Sequence, residues 1–175
     1  KVKAITLRKA FDDYIADKRE TNSIKESTAY VYRCDIEKCL ADWLGKPIGS
    51  IQEDDITDRH KHISRTHPGQ ANHVMRVLRA VFNFAMNKYK TADRTAVVKD
   101  NPVSQLSKDS RWNRMKPRTN IIKDHQLKAF FAACRSLEHP TASDYLAFLL
   151  LTGLRAEEAG SLPWSQVDLK GKTIL

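Results

Sequence analysis

The chain has 175 residues, enough for one ordinary domain or two small ones with a true hydrophobic core. Its 30 Lys and Arg against 21 Asp and Glu give a net charge of +9, which favours a polyanionic partner, either nucleic acid or an anionic membrane surface. The longest apolar run, Tyr145 to Leu151, has seven residues where a bilayer span needs roughly 20, and the N-terminus is too densely charged for a secretory signal. The expected location is therefore cytoplasmic, and charge alone does not choose between the two partners.

Three cysteines, Cys34, Cys39 and Cys134, are an odd number without paired metal-ligand spacing, so free thiols are expected rather than a disulfide framework or a zinc knuckle. Histidines gather at His60, His62, His67 and His73. His60 and His62, two apart, point to different faces of a helix, and no metal site is expected there.

The first hundred residues read as four helices, because apolar residues recur at three and four. Thr6 can cap a first helix that buries Leu7, Phe11, Tyr14 and Ile15 and ends near Glu20. Ser27 or Thr28 can cap a second, with Ala29, Tyr32, Ile36, Leu40, Trp43 and Leu44 inward, before "GKPIGS" stops it. A third starts around Glu53, Asp54 and Asp55, where acids favour the positive end of the helix dipole, and carries Ile56 and Ile63. "THPGQ" is expected to break it.

The fourth helix, about Gln70 to Lys90, is the most amphipathic, with Val74, Val77, Leu78, Val81, Phe82, Ala85 and Tyr89 on one side. Its other side holds Arg76, Arg79, Asn83, Asn87 and Lys90, a single stripe of cations and amides, the groups that hydrogen-bond phosphates and base edges. An ordinary solvated face has the same composition, so both readings stand at this point.

From Ser104 to Lys123 six basic residues face the single acid Asp109, a net of +5. The segment reads as an interdomain linker whose Lys108, Arg111, Arg114, Lys116 and Arg118 lie along a phosphate backbone, or as a merely soluble connection. A second unit follows. Its first helix, about Lys123 to Leu137, buries Leu127, Phe130, Phe131 and Cys134, and "YLAFLLL" forms a second helix, apolar nearly all round, expected at the unit's buried centre. Gly153 permits a turn, Leu154 onward restarts as a short helix, and "SQVDLKGKTIL" reads as a hairpin around Gly171. That hairpin reaches the last residue in mid-strand, so the chain is read as a piece of a longer protein.

Arg155 thus stands where an apolar helix turns at Gly153 and another begins. A guanidinium on such a mount offers a planar fork matched to phosphate oxygens, with Glu158 one turn on to orient it. A surface Arg–Glu helix pair has the same spacing and is worth at most about 0.5 kcal/mol.

The stretch "LLLTGLRAEEAGSLPWSQVDL" resembles the segment of the tyrosine recombinases, or phage integrases, that carries the first catalytic arginine. Thr152, Gly153, Leu154, Arg155, Glu158, Leu162, Trp164 and Asp168 all fall in register with that family. "STAYVYRCDIEKCLADWLGKPIGSI" and "QANHVMRVLRAVFNFAMNKY", followed by "NPV", resemble its helical core-binding domain, closest to prophage-type integrases. The resemblance implies a mainly α fold: a four-helix SAM-like core-binding domain over residues 1–103, a basic linker over 104–122, and over 123–175 the N-terminal part of an α+β catalytic domain.

It further implies a clamp around double-stranded DNA at a core recombination site, assembled as a homotetramer. An active-site tyrosine attacks the scissile phosphodiester and leaves a 3′-phosphotyrosyl link, without cofactor, metal, nucleotide energy source, small-molecule substrate or membrane partner. Arg155 would hold the scissile phosphate with Glu158 in support, while Lys25 and Arg33 near the second helix would join the stripe of the fourth and the linker cations in binding DNA. The family's catalytic lysine would lie just beyond Leu175, since Lys170 and Lys172 come too early, and its His-x-x-Arg pair and nucleophilic tyrosine do not follow Arg155. "HISR", His62 to Arg65, has the spelling but lies upstream, and none of Tyr14, Tyr30, Tyr32, Tyr89 or Tyr145 has a nucleophile's context. The chain by itself is therefore expected to bind DNA without cleaving it. A non-catalytic DNA-binding regulator, or a helical protein-interaction module with a merely solubilising basic face, are the alternatives.

Overall fold

A computed structural model describes residues 4–90, 96–117 and 119–174. The chain divides into two compact units, Lys1–Pro117 and Arg118–Leu175.

In the first unit, α1 (Leu7–Glu20) opens at Thr6, whose hydroxyl accepts the Lys9 N–H at 3.2 Å, and buries Leu7, Ala10, Phe11, Tyr14 and Ile15. The second helix, α2 (Glu26–Cys39), differs from expectation at both ends. It starts before Ser27 and Thr28, with Lys25 at the cap position, because Glu26 takes the favourable acidic place in the first turn and holds Arg19 at 2.5 Å. It stops at Cys39, whose carbonyl accepts from Arg59 at 2.9 Å. The chain then tightens into a 3₁₀ turn, Ala41–Trp43, that still buries Leu40, Trp43 and Leu44.

The third helix, α3 (Glu53–Ser64), starts where its acids predict, with Asp55 accepting the Gln52 N–H at 2.9 Å, and buries Ile56. It also buries His60, which its apolar pattern does not show. Only Arg65, Thr66 and His67 separate it from α4 (Pro68–Lys88), which takes in the rest of "THPGQ", since Pro68 stands at the first helical position, where its missing N–H costs no bond. Val74, Met75, Val77, Leu78, Val81, Phe82 and Ala85 form the buried face of α4, and α1, α2 and α3 pack around it.

The basic segment departs from a free linker. Pro102–Ser104 is a 3₁₀ turn, α5 (Gln105–Lys108) follows, Val103 and Leu106 are fully buried, and Trp112 packs against the core. Val103 and Leu106, three apart, lie on one face, and their burial outweighs the segment's charge.

In the second unit, a 3₁₀ turn at Asp124–Gln126 leads into α6 (Leu127–Arg135), which packs on α7 (Pro140–Thr152). Then come α8 (Ala156–Gly160) and an antiparallel hairpin of β1 (Val167–Asp168) and β2 (Thr173–Ile174), pairing Val167 with Ile174 and Asp168 with Thr173. Cys134 is buried, whereas α7 buries no residue and Leu151 is 77% exposed. The expected buried centre is thus half-covered: among the described residues only α6 and α8 pack substantially on it. Among the described residues no helix is long and apolar enough to cross a membrane.

If residues 104–108 belong to the first unit's core, Leu106→Ala should lower its unfolding free energy by about 2–5 kcal/mol, as for other buried leucines. Urea denaturation measures this, and a loss under about 0.5 kcal/mol would mean a free linker.

Candidate nucleic-acid interface

Fixing the apolar face of α4 inward sets its other face outward, and Arg76, Arg79, Asn83, Asn87 and Lys90 are all exposed. Lys90 lies just past the helix end. The amides are partly engaged: Asn83 Oδ1 accepts from Asn101 at 2.7 Å, and Asn87 donates back to the Asn83 carbonyl at 3.0 Å. The Arg76 guanidinium lies 5.8 Å from the centre of the Trp112 ring, a cation–π contact across to the basic segment.

Of the remaining candidates, Arg33 is drawn toward α1, 3.3 Å from Asp12 and over Phe11. Lys25 is exposed at the start of α2, in a shallow recess with Arg19, Asn22 and Glu26. Lys108 lies 3.9 Å from Glu53, and Arg111 is 3.0 Å from Asp109. Arg114 and Lys116 are exposed and make no ion pair among the described residues, while Arg118 lies outside them.

The basic segment is tied down by a polar cluster that the sequence reading missed. The Asn113 N–H donates to Asn72 Oδ1 at 3.1 Å, and Asn72 Nδ2 donates to the Asn113 carbonyl at 2.9 Å, a reciprocal pair. The Asn113 amide also donates to Ser64 Oγ at 2.7 Å and to the Pro68 carbonyl at 3.0 Å. His60 Nε2 sits 3.0 Å from Asn72 Oδ1, and its ring meets Trp112 edge-on. His60 is therefore a satisfied core histidine, and His73 likewise pairs with Asp35 at 2.6 Å. The one available signal was Asn72 itself, four residues before Arg76 on the stripe.

In the second unit, Gly153 ends α7 in the left-handed conformation at φ 69°, and Arg155 occupies the cap position of α8. Glu158 grips it twice: Oε2 accepts the Arg155 N–H at 2.9 Å and Oε1 accepts from Nη1 at 2.8 Å. Tyr145, another residue missed from sequence, donates to the Ala156 carbonyl at 2.5 Å and so fixes the start of α8 against α7. The Arg155 side chain is 85% exposed. In the hairpin Asp168 Oδ1 accepts the N–H groups of Lys170 and Gly171, both at 2.9 Å. The Tyr89 phenol is pushed above its ordinary range by burial and by the Asp13 carboxylate, to which it donates at 2.6 Å.

The chain is 34% identical to the prophage integrase IntF of Escherichia coli (strain K12) over 136 residues, which are 75% of this chain and 28% of the relative. The similarity supports a prophage-type tyrosine recombinase (phage integrase). The chain spans just over a quarter of the length of the curated relative it matches. No family model matches it, and no solved structure does.

The Arg155 N–H, then its guanidinium, hold the Glu158 carboxyl below its ordinary 4.5. A depressed folded-state value means that the grip on the start of α8 is complete above pH 4.5 and is lost as pH falls through the lowered value. The NMR shift of the Arg155 amide should titrate with a midpoint below 4.5. Arg155→Ala should raise that midpoint only part of the way, because the backbone bond remains. A midpoint at or above 4.5 in the parent chain would refute the grip.

Proposed function

We propose that this chain is the DNA-gripping front part of an integrase that performs site-specific recombination of a mobile element. The observation that supports it most is the placement of Arg155: a guanidinium on a turned, hydrogen-bonded mount, within a chain that is 34% identical to a prophage integrase. In this reading the first unit is the SAM-like core-binding domain and the second begins the catalytic domain. The partner is duplex DNA carrying a core recombination site, and the complete enzyme works in the cytoplasm as a homotetramer on paired sites.

Arg76, Arg79 and Lys90, with Arg114 and Lys116, neutralise phosphates and give most of the affinity, while Asn83 and Asn87 carry the base-edge contacts. Arg155 holds a non-bridging oxygen of the scissile phosphate and stabilises the charge that grows on it in the transition state, a preorganised contact typically worth about 2.7–4 kcal/mol. Glu158 positions the fork. A tyrosine outside these residues attacks phosphorus, its oxygen forming the new bond as the 5′-oxygen departs.

With about five phosphates neutralised, log K for a duplex should fall against log salt with a slope near −4.5. A gel-shift titration measures it, and the absence of duplex binding would favour a protein-interaction module. On a nicked suicide duplex the 175-residue chain should leave no denaturant-stable covalent adduct. Such an adduct would place the nucleophile among the tyrosines present and overturn this assignment.

A further inference from the structure

The stripe on α4 begins earlier than its cations do. Asn72 precedes Arg76 by four residues and Arg79 by seven, so the three share one face, yet Asn72 is buried while the two arginines are exposed. What covers it is the basic segment. Asn101 donates to Asn83 Oδ1 and, at 2.9 Å, to the Arg79 carbonyl, while Asn113 pairs with Asn72. The stretch from Asn101 to Asn113 thus runs back along α4 from its middle toward its start, bordering the stripe.

We propose that Asn113 is a positioning residue that latches this strap onto α4, so that Arg114 and Lys116 extend the Arg76–Arg79 stripe into one surface tracking a single phosphate backbone. The inference rests on the DNA-binding reading above.

Several observations converge on Asn113. Its backbone is paired both ways with the Asn72 amide, and its side chain reaches Ser64 on α3 and Pro68 at the start of α4. The two helices and the strap therefore meet at one side chain. Trp112 wedges between the His60 edge and the Arg76 guanidinium, setting the strap's approach. Arg111 is answered by Asp109, whereas Arg114 and Lys116 are exposed without an ion pair among the described residues. A flexible segment would also find phosphates, but at the entropic cost of ordering on binding; a latched one has met that cost during folding.

The test uses the whole 175-residue chain and a mixed-sequence duplex. In the parent background Arg114→Gln with Lys116→Gln should flatten the salt slope by about 1.8, at about 0.9 per contact. Asn113→Ala, which keeps the backbone pair with Asn72 but removes the side-chain bonds to Ser64 and the Pro68 carbonyl, should flatten the slope alone and leave the Gln pair with less than half of that effect. It should also speed tryptic cleavage after Arg111 and Arg114 at least several-fold without DNA. Ser64→Ala, a milder cut of the same latch, should shift both readouts in the same direction and serves if Asn113→Ala fails to fold by circular dichroism. If the latch variants leave slope and cleavage unchanged while the parent binds DNA, the latch is refuted and the DNA reading survives. If the parent binds no duplex, both are overturned.

Discussion

The first unit depends on the burial of one side of α4. That helix runs 21 residues, and α1, α2, α3 and the turn at Pro102–Ser104 all pack on it. Each large side chain it buries contributes about 1.5–3 kcal/mol, so rotating the helix by a fraction of a turn would expose several at once. A helix turns 100° per residue, and a face held in leaves the opposite face no choice. Arg76, Arg79, Asn83 and Asn87 are outward because Val74, Val77, Leu78 and Val81 cannot be. The core therefore aims the cations with the stiffness of its own packing.

The polar groups beside that face divide by charge. Neutral amides bind the protein to itself: Asn72 with Asn113, Asn101 with Asn83, Asn87 with the Asn83 carbonyl. A buried amide can satisfy its donors and its acceptor at modest cost, whereas a buried guanidinium cannot shed its charge. The arginines of the same stripe accordingly stay at the surface, Arg76 with its guanidinium over the Trp112 ring. Asn83 retains donors beyond its bond to Asn101, so base contact through it is compatible with that bond.

Periodicity carried most of what was legible in the sequence. The buried sides of α1 and α4, the acidic start of α3, the Gly153 turn and the hairpin around Gly171 follow from spacing and turn chemistry, and they stand where those signals put them. Composition was the poorer guide. Averaged over twenty residues, the cations of the basic segment hide Leu106, Trp112 and Asn113, although those few side chains decide that it packs. The end of α2 was unreadable for another reason, since an Arg59 distant in sequence terminates it. In α7 an all-apolar surface signalled what the helix needs, not how much of it these residues cover.

Arg155 shows how an exposed residue can still be rigidly placed. A Cβ on Gly153 would meet no atom within 4 Å, so space is not what demands glycine there; the left-handed backbone is, at a cost to other residues of about 1–2 kcal/mol. Beyond that turn the Tyr145 hydroxyl donates to the Ala156 carbonyl and Glu158 accepts the Arg155 N–H, so the backbone on both sides of the Arg155 side chain is held. Among the described residues only Nη1 meets the Glu158 carboxylate, and with the side chain 85% exposed most of the guanidinium donors face solvent. The carboxylate sets the direction of the fork without filling it. In the proposed role a phosphate would meet donors already in place, which is what stabilising charge without reorganisation requires.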